Sequence, residues 1–255
     1  MATTELRVGC RVFCVDYHHP VVLAKELATM DMLSQGRVEA GLGAGWVSAE
    51  YEGLGIVMDR PGVRIERLAE TVELLKAQWA GEPLAIKGTY VQASGFAGRP
   101  RPVQQPHPPI LIGGGAPRVL KLAGRLADIV SINFNNAAGK LGTASVASST
   151  QEATAEKIGW IREGAGDRFG DIELELAAYF IAISENPADA VAAMAQRFGV
   201  PAAVLAEHPH ALIGSVPEIC AKLEQRRSEL GVSYINVAQR SMDAFAPVVA
   251  RLAGS

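Results

Sequence analysis

Ser34-Gln35-Gly36-Arg37-Val38-Glu39-Ala40-Gly41-Leu42-Gly43-Ala44-Gly45-Trp46 is the stretch on which the reading of the fold turns. Its short run from Val38 to Leu42 lies between a Gly-bearing turn and a cluster of glycines, so its length and boundaries predict a buried strand rather than a helix. Glycines at 41, 43 and 45 leave backbone bare at the strand's end, where a flat or anionic ligand could approach closely. A glycine-rich turn with no ligand would leave the same pattern. The dinucleotide fingerprint G-x-G-x-x-G fails here by one residue, because Trp46 occupies its last position.

Outward from that strand, Leu6 to Val15 is rich in β-branched and apolar residues and predicts another buried strand. Pro20 opens a helix over Val21 to Leu33 with Val22, Leu23, Leu27 and Met30 on its inner side. Pro61 opens a second helix, in which Ile65, Leu68, Val72, Leu75 and Trp79 share one face until Gly81. A hairpin is expected over Leu84 to Val91, then a strand at Ile110 to Ile112, Gly113-Gly114-Gly115, and a helix from Pro117 through Leu126. Strands are expected at Asp128 to Asn133, Ile172 to Ile183 and Val232 to Val237. Helices are expected from Thr150 to about Arg168, over Pro187 to Phe198 and Pro217 to Leu230, and over Ala244 to Leu252. Residues 134–149 read as a long loop, a candidate lid or insertion, and His208 to Ile213 as irregular. Six strands alternating with helices predict a parallel sheet.

Composition sets outer bounds. A chain of 255 residues fits one barrel-sized domain or two small ones, and with no linker in view we expect one domain. A net charge of −3 supplies no basic surplus for nucleic acid or anionic lipid. No apolar run reaches the ~18 residues of a membrane span. Three cysteines without a leader pattern predict a reducing, cytoplasmic setting. Cys10 and Cys14 would lie roughly 13 Å apart along a strand, too far for the ~7 Å that a disulfide tolerates.

Two glycine loops, 41–45 and 113–115, follow strands, and in a β/α barrel that end of the strands carries the site. Backbone N–H groups at the start of the Pro117 helix suit a phosphate or a polarised carbonyl. Together the loops suggest a planar cofactor across the mouth.

The segments HPVVLAKELATMDMLSQGRVEAGLGAGW and PPILIGGGAPRVLKLAGRLADIV, in that order, closely resemble the bacterial luciferase-like family of flavin and deazaflavin oxidoreductases, most of all its F420-dependent members of actinobacterial type. The resemblance runs from about Ala2 to Leu252. It implies a TIM-type (β/α) barrel of about six βα units, incomplete at the N-terminus because the match starts at the family's third strand. It also implies F420, or alternatively FMN, at the C-terminal end. By the same resemblance Cys10, Arg11 and Val12 belong to the strand beneath the cofactor ring, with a non-proline cis peptide expected at Cys10–Arg11. Gly43, Ala44, Gly45 and Trp46 lie beside the ring. Gly113, Gly114, Gly115, Ala116 and Pro117 hold the cofactor's side chain and phosphate. Ala44 and Asn136 stand where the family's sugar-phosphate dehydrogenases carry an acid and a lysine, which argues against that substrate.

His18, His19 and Tyr51 are the candidate catalytic residues; a helix-capping or surface role would equally place the histidines, and packing would equally place Tyr51. Arg11 is either a ring neighbour or an ion-paired barrel residue. Asp128 is expected to pair with Arg125 or a neighbouring loop, and His107 to be structural. His208-Pro209-His210 has no placed acidic partner, so no metal is expected. The functional expectation is hydride transfer between F420 or flavin and a small organic substrate whose determinants include the 134–149 loop. The alternatives are an FMN- and oxygen-dependent monooxygenase served by a flavin or F420 reductase, and a cofactor-binding or assembly protein without turnover. Family members are often dimers, and a barrel of six units has open edges, so a homo-oligomer is expected.

Overall fold

The structure, a computed structural model, describes residues 3–137, 139–140 and 142–253. Its strands are β1 (Val8–Gly9), β2 (Phe13–Cys14), β3 (Val38–Gly43), β4 (Ala85–Lys87), β5 (Gln92–Ser94), β6 (Ile110–Gly114), β7 (Ile129–Ile132), β8 (Glu173–Ala178), β9 (Phe180–Ile183), β10 (Ala211–Gly214) and β11 (Val232–Val237). Its helices are α1 (Pro20–Ser34), α2 (Ser48–Leu54), α3 (Pro61–Ala80), α4 (Pro117–Leu126), α5 (Thr143–Ala147), α6 (Gln151–Ala165), α7 (Pro187–Phe198), α8 (Ala202–Ala206), α9 (Val216–Leu230) and α10 (Met242–Leu252). The main sheet runs β1-β3-β6-β7-β8-β11, with β2 also paired to β3, and every pair in it is parallel. It curls as a half-barrel: the phenol of Tyr234 on β11 donates to Glu39 Oε2 on β3 at 3.1 Å, across the concave face.

Buried strands and helix faces form the main core. Leu42, Ile110, Ile112, Val130, Ile132 and Leu176 come from the sheet, and Leu23, Leu27, Leu68, Leu75, Trp79 and Leu120 from the helices over it. Proline starts and glycine stops work as their chemistry dictates. α3 begins at Pro61 and is ended by Gly81 in the left-handed region, φ 83°. Thr150 caps α6 by accepting from the Ala153 N–H.

Several expectations need correction. Leu6 to Val15 is not one buried strand but two short pieces, and Val8 and Gly9 are exposed because β1 lies at the edge of the sheet. The non-proline cis bond lies at Arg11–Val12, one residue beyond the expected Cys10–Arg11. In α1, Val22 and Met30 are 51% and 40% exposed. The inner stripe is instead Leu23, Ala24, Leu27, Ala28, Asp31 and Ser34, which follows the helical period more closely. The hairpin's second strand falls at Gln92–Ser94, just beyond the expected range. Residues 134–149 contain α5, and α6 stops at Ala165, followed by a 3₁₀ segment over Gly166–Asp171.

The apolar run Ile172 to Ile183 divides at Tyr179. β8 stays in the main sheet, whereas β9 leaves it to pair with β10, in the region read as irregular. Asp128 does not pair with Arg125. It accepts from the Ile110 N–H at 2.8 Å and stands 3.7 Å from Arg168. Among the described residues no helix is long and apolar enough to cross a membrane.

Candidate active site

The quoted glycines turn out to serve the protein's own packing first. A Cβ at Gly41 would stand 2.0 Å from the Cys10 carbonyl oxygen, and one at Gly43 2.5 Å from Val12 Cγ2. Bare backbone on β3 therefore lets the Cys10–Val12 segment press against it, which fixes where Arg11 emerges. Arg11, Val12 and Cys14, together with Gly43 to Trp46, then line a cavity of about 930 Å³. Its remaining walls come from Gly113 to Ala116, from Ser131 and Asn133 to Ala137, from Tyr179, Phe180 and Phe198, and from Arg64 and Arg240. The glycine segments after β3 and β6 thus meet in one cavity at the C-terminal ends of the strands, within the ~300–1,000 Å³ usual for ligand sites.

A polar group in the cavity wall is centred on Arg11. Its Nε lies 2.8 Å from Glu175 Oε1 and its Nη2 donates to Glu175 Oε2 at 2.9 Å. Nη2 also donates to Ser131 Oγ, and Tyr179 donates its phenol proton to Asn133 Oδ1. Glu175 is fully buried on β8, and a buried carboxylate is costly unless paired. Burial alone would lower the Arg11 pKa, but the charge and hydrogen bond of Glu175 outweigh it and raise it. Burial raises the Tyr179 pKa despite the nearby guanidinium.

Tyr51 is buried behind the cavity wall rather than at its mouth. Its hydroxyl donates to Asp16 Oδ2 at 2.8 Å, with Cys14 Sγ 3.5 Å away. Burial, and then these partners, raise its pKa. Asp16 also receives Arg67 at 2.7 Å, and Arg64 donates to the Gly45 carbonyl. This network braces the loop carrying Ala44, Gly45 and Trp46. His18 packs edge-on against Phe13 with centroids 5.4 Å apart, and His19 holds the N-cap position of α1 without a side-chain cap. Neither histidine is among the cavity-lining residues. Cys10 and Pro117, at the first position of α4, are not among them either, although Arg11, Val12 and Ala116 are.

One wall is aromatic. Phe134 and Tyr179 lie 4.8 Å apart, and His210 stacks on Tyr179 at 5.2 Å. His210 is wholly buried, its Nδ1 2.7 Å from the Ala177 carbonyl, and burial pulls its pKa down to about 3. Behind this wall Lys157 donates to the Asn133 carbonyl at 2.7 Å and to Ser149 Oγ, with burial lowering its pKa to about 8. It ties α6 to the segment leading into α5.

A planar heteroaromatic group fits these surroundings. Trp46, Val12, Phe134 and Phe180 offer apolar faces, Arg11 a charged donor, and the first turn of α4 backbone N–H groups without intrahelical partners. Arg64 Nε is buried and has no partner among the described residues. Glu175, Ser131, Asn133 and Tyr179 escaped the sequence reading. Glu175 shares β8 with the exposed Glu173, and only its place between Leu174 and Leu176, inside the apolar part of the strand, marked it for burial. For Ser131 and Asn133 the signal was their spacing of two, which puts Asn133, just past the end of β7, on the same side of the chain as Ser131 within it.

A parallel, curled sheet whose strand ends carry such a cavity is the architecture of a (β/α) barrel with its site at the C-terminal ends of the strands. The family model for luciferase-like monooxygenases matches residues 1–230, and the chain belongs to that family. It is 33% identical over 127 residues to an F420-dependent glucose-6-phosphate dehydrogenase of Microbacterium testaceum, covering 49% of this chain and 37% of that one. It is 29% identical over 138 residues to an FMNH2-dependent dimethylsulfone monooxygenase of Pseudomonas putida, covering 54% and 38%. The chain thus spans less than half the length of the curated relatives it matches. Its fold is similar to that of the coenzyme F420-dependent tetrahydromethanopterin reductase of Methanopyrus kandleri, with a TM-score of 0.75 at 18% identity, covering 97% of this chain and 82% of that one.

Proposed function

We propose that the protein is an oxidoreductase that binds F420 across this cavity and passes hydride between it and a small organic substrate. The observation that carries the reading is the meeting of the two glycine segments, Gly43–Gly45 and Gly113–Gly115, in one cavity floored by Arg11. When bound, the ring supplies the hydride chemistry. The chain's own residues do the rest. Trp46, Phe134 and Phe180 exclude water, Arg11 orients the ring edge, and the start of α4 receives the phosphate. His18, His19 and Tyr51 have no direct route to a substrate in the cavity, so we assign Tyr51 to bracing the loop beside the ring.

The second reading, an FMN- and oxygen-dependent monooxygenase supplied by a separate reductase, is favoured by the likeness to an FMNH2-dependent relative. Equilibrium titration with F420 and, separately, FMN, followed by ring fluorescence, distinguishes the two. Tight F420 and weak FMN binding supports the first reading, and the reverse supports the second. Binding without turnover of any hydride acceptor or oxygen would leave a cofactor-binding protein, and binding of neither would remove both enzymatic readings. We further propose that the chain works as a homo-oligomer, because both edges of its main sheet, β1 and β11, are unpaired among the described residues.

A further inference from the structure

We propose that Glu175 holds Arg11 so that its Nη1 group donates to the carbonyl-bearing pyrimidine edge of the bound ring, making Arg11 the residue that sets how strongly the reduced ring is held. The inference deepens the cofactor reading above and rests on it.

The geometry divides the guanidinium into two sides. Nε and Nη2 face Glu175, at 2.8 and 2.9 Å from its two oxygens. Nη2 is further engaged by Ser131 Oγ, with Asn133 Oδ1 at 3.5 Å. Beyond Glu175, the Tyr179 phenol is both a charge neighbour and a hydrogen-bond neighbour of the guanidinium. Glu175, Ser131 and Tyr179 together engage at most four of the five guanidinium N–H groups, so at least one is left on a side chain that lines the cavity. A guanidinium hydrogen-bonded through Nη2 to Glu175 Oε2 and Ser131 Oγ, and ion-paired through Nε, has little orientation left to lose when Nη1 binds.

The charge balance selects the ligand group. Arg11 and Glu175 together are neutral, and no other cation contacts Glu175 among the described residues. A fully ionised carboxylate would meet Glu175 as well as Arg11. A carbonyl oxygen needs only the donor, and flavins and deazaflavins carry carbonyls on the pyrimidine side of the ring. Taking up two electrons and one proton leaves a flavin with negative charge on that same side. Arg11 is therefore worth more to the reduced ring than to the oxidised one. Glu175 is a positioning residue, acting through Arg11.

The test titrates the wild type, Glu175→Gln, Arg11→Gln, Arg11→Lys and the double variant Arg11→Gln/Glu175→Gln with FMN, oxidised and after reduction by dithionite under argon, and with oxidised and borohydride-reduced F420 where the wild type binds F420 in preference to FMN, the same changes being expected for either ring. The double variant removes both charges, so it does not strand a buried carboxylate. We expect it to bind oxidised FMN about threefold more weakly and reduced FMN about thirtyfold more weakly, a loss in the range of a hydrogen bond to a charged group. The tenfold difference between the two states lowers the bound midpoint potential by about 30 mV for a two-electron couple. Glu175→Gln alone should weaken binding about threefold in the wild-type background. In an Arg11→Gln background it should change binding less than twofold, as a residue acting through Arg11 must. Should the double variant fail to fold by thermal melting, Arg11→Lys decides, because it keeps the charge but loses the fork. It should bind oxidised FMN about threefold more weakly, and wild-type affinity there overturns the proposal. Equal losses for oxidised and reduced FMN in the double variant overturn it too, while leaving the cofactor reading intact. A wild type that binds neither FMN nor F420 overturns both.

Discussion

At the scale of single residues, three buried groups set testable behaviour. His210 titrates at about 3 in the folded chain because burial disfavours its charged form. The unfolded chain binds that proton near the ordinary pKa of about 6.5, so folding stability is full above that pH and is lost as pH falls toward 3. Chemical denaturation from pH 7 to pH 4 should show this limb, and His210→Phe should flatten it. Lys157 behaves likewise higher up the scale. Its pKa is lowered by burial to about 8, so stability rises as pH climbs from about 8 toward the unfolded value of about 10.4. The same titrations at pH 8 and 10 in Lys157→Met should lose that rise. Tyr51→Phe removes a hydroxyl that donates to Asp16 but does not line the cavity. It should cost about 1 kcal/mol of stability and leave FMN or F420 affinity within about twofold; a larger loss of affinity would return Tyr51 to the site.

At the scale of elements, Asp31 joins α1 to the loop before β6. Its buried carboxylate accepts from the Val103 and Gln104 N–H groups at 2.7 and 3.0 Å and from Gln104 Nε2 at 2.7 Å. Asp31→Ala strands those donors and should cost about 1.5–3 kcal/mol, read as a lower denaturation midpoint with unchanged slope. Gly41→Ala drives a methyl into the Cys10 carbonyl. It should cost about 1–3 kcal/mol and weaken ring binding by displacing Arg11. Both positions show what the sequence carried. The strand Val38 to Leu42 and the helices opened by Pro61, Pro117 and Pro187 were legible because proline, glycine and apolar period act locally. The reason for Gly41 was not, because the atom it avoids belongs to Cys10, in the link between β1 and β2, far away in sequence. The turn of the chain at Tyr179 was hidden inside a continuous apolar run, which records burial but not which strand is the neighbour. The Arg11–Glu175 pair joins residues 164 positions apart, beyond any local rule.

At the scale of the whole molecule, the half-barrel leaves two sheet edges and a set of outward apolar residues. Leu6 is 66% exposed, Leu33 63%, and Val8 on β1 and Val22 on α1 are exposed as well. An unpaired parallel edge next to exposed apolar side chains is a template for association. Burying such side chains contributes roughly 25 cal/mol per Å² of apolar area. We therefore expect a concentration-dependent dimer or larger assembly in sedimentation velocity between 1 and 100 µM, and a shift toward monomer in Leu6→Lys/Leu33→Glu. Neither residue lines the cavity. If the cavity is complete within one chain, the variant should bind FMN or F420 as the wild type does while sedimenting as a monomer. If affinity falls in step with the loss of assembly, the neighbouring copy contributes to the site. A wild type that stays monomeric across that range would mean that the exposed edge and its apolar neighbours do not drive association, and the homo-oligomer would be withdrawn.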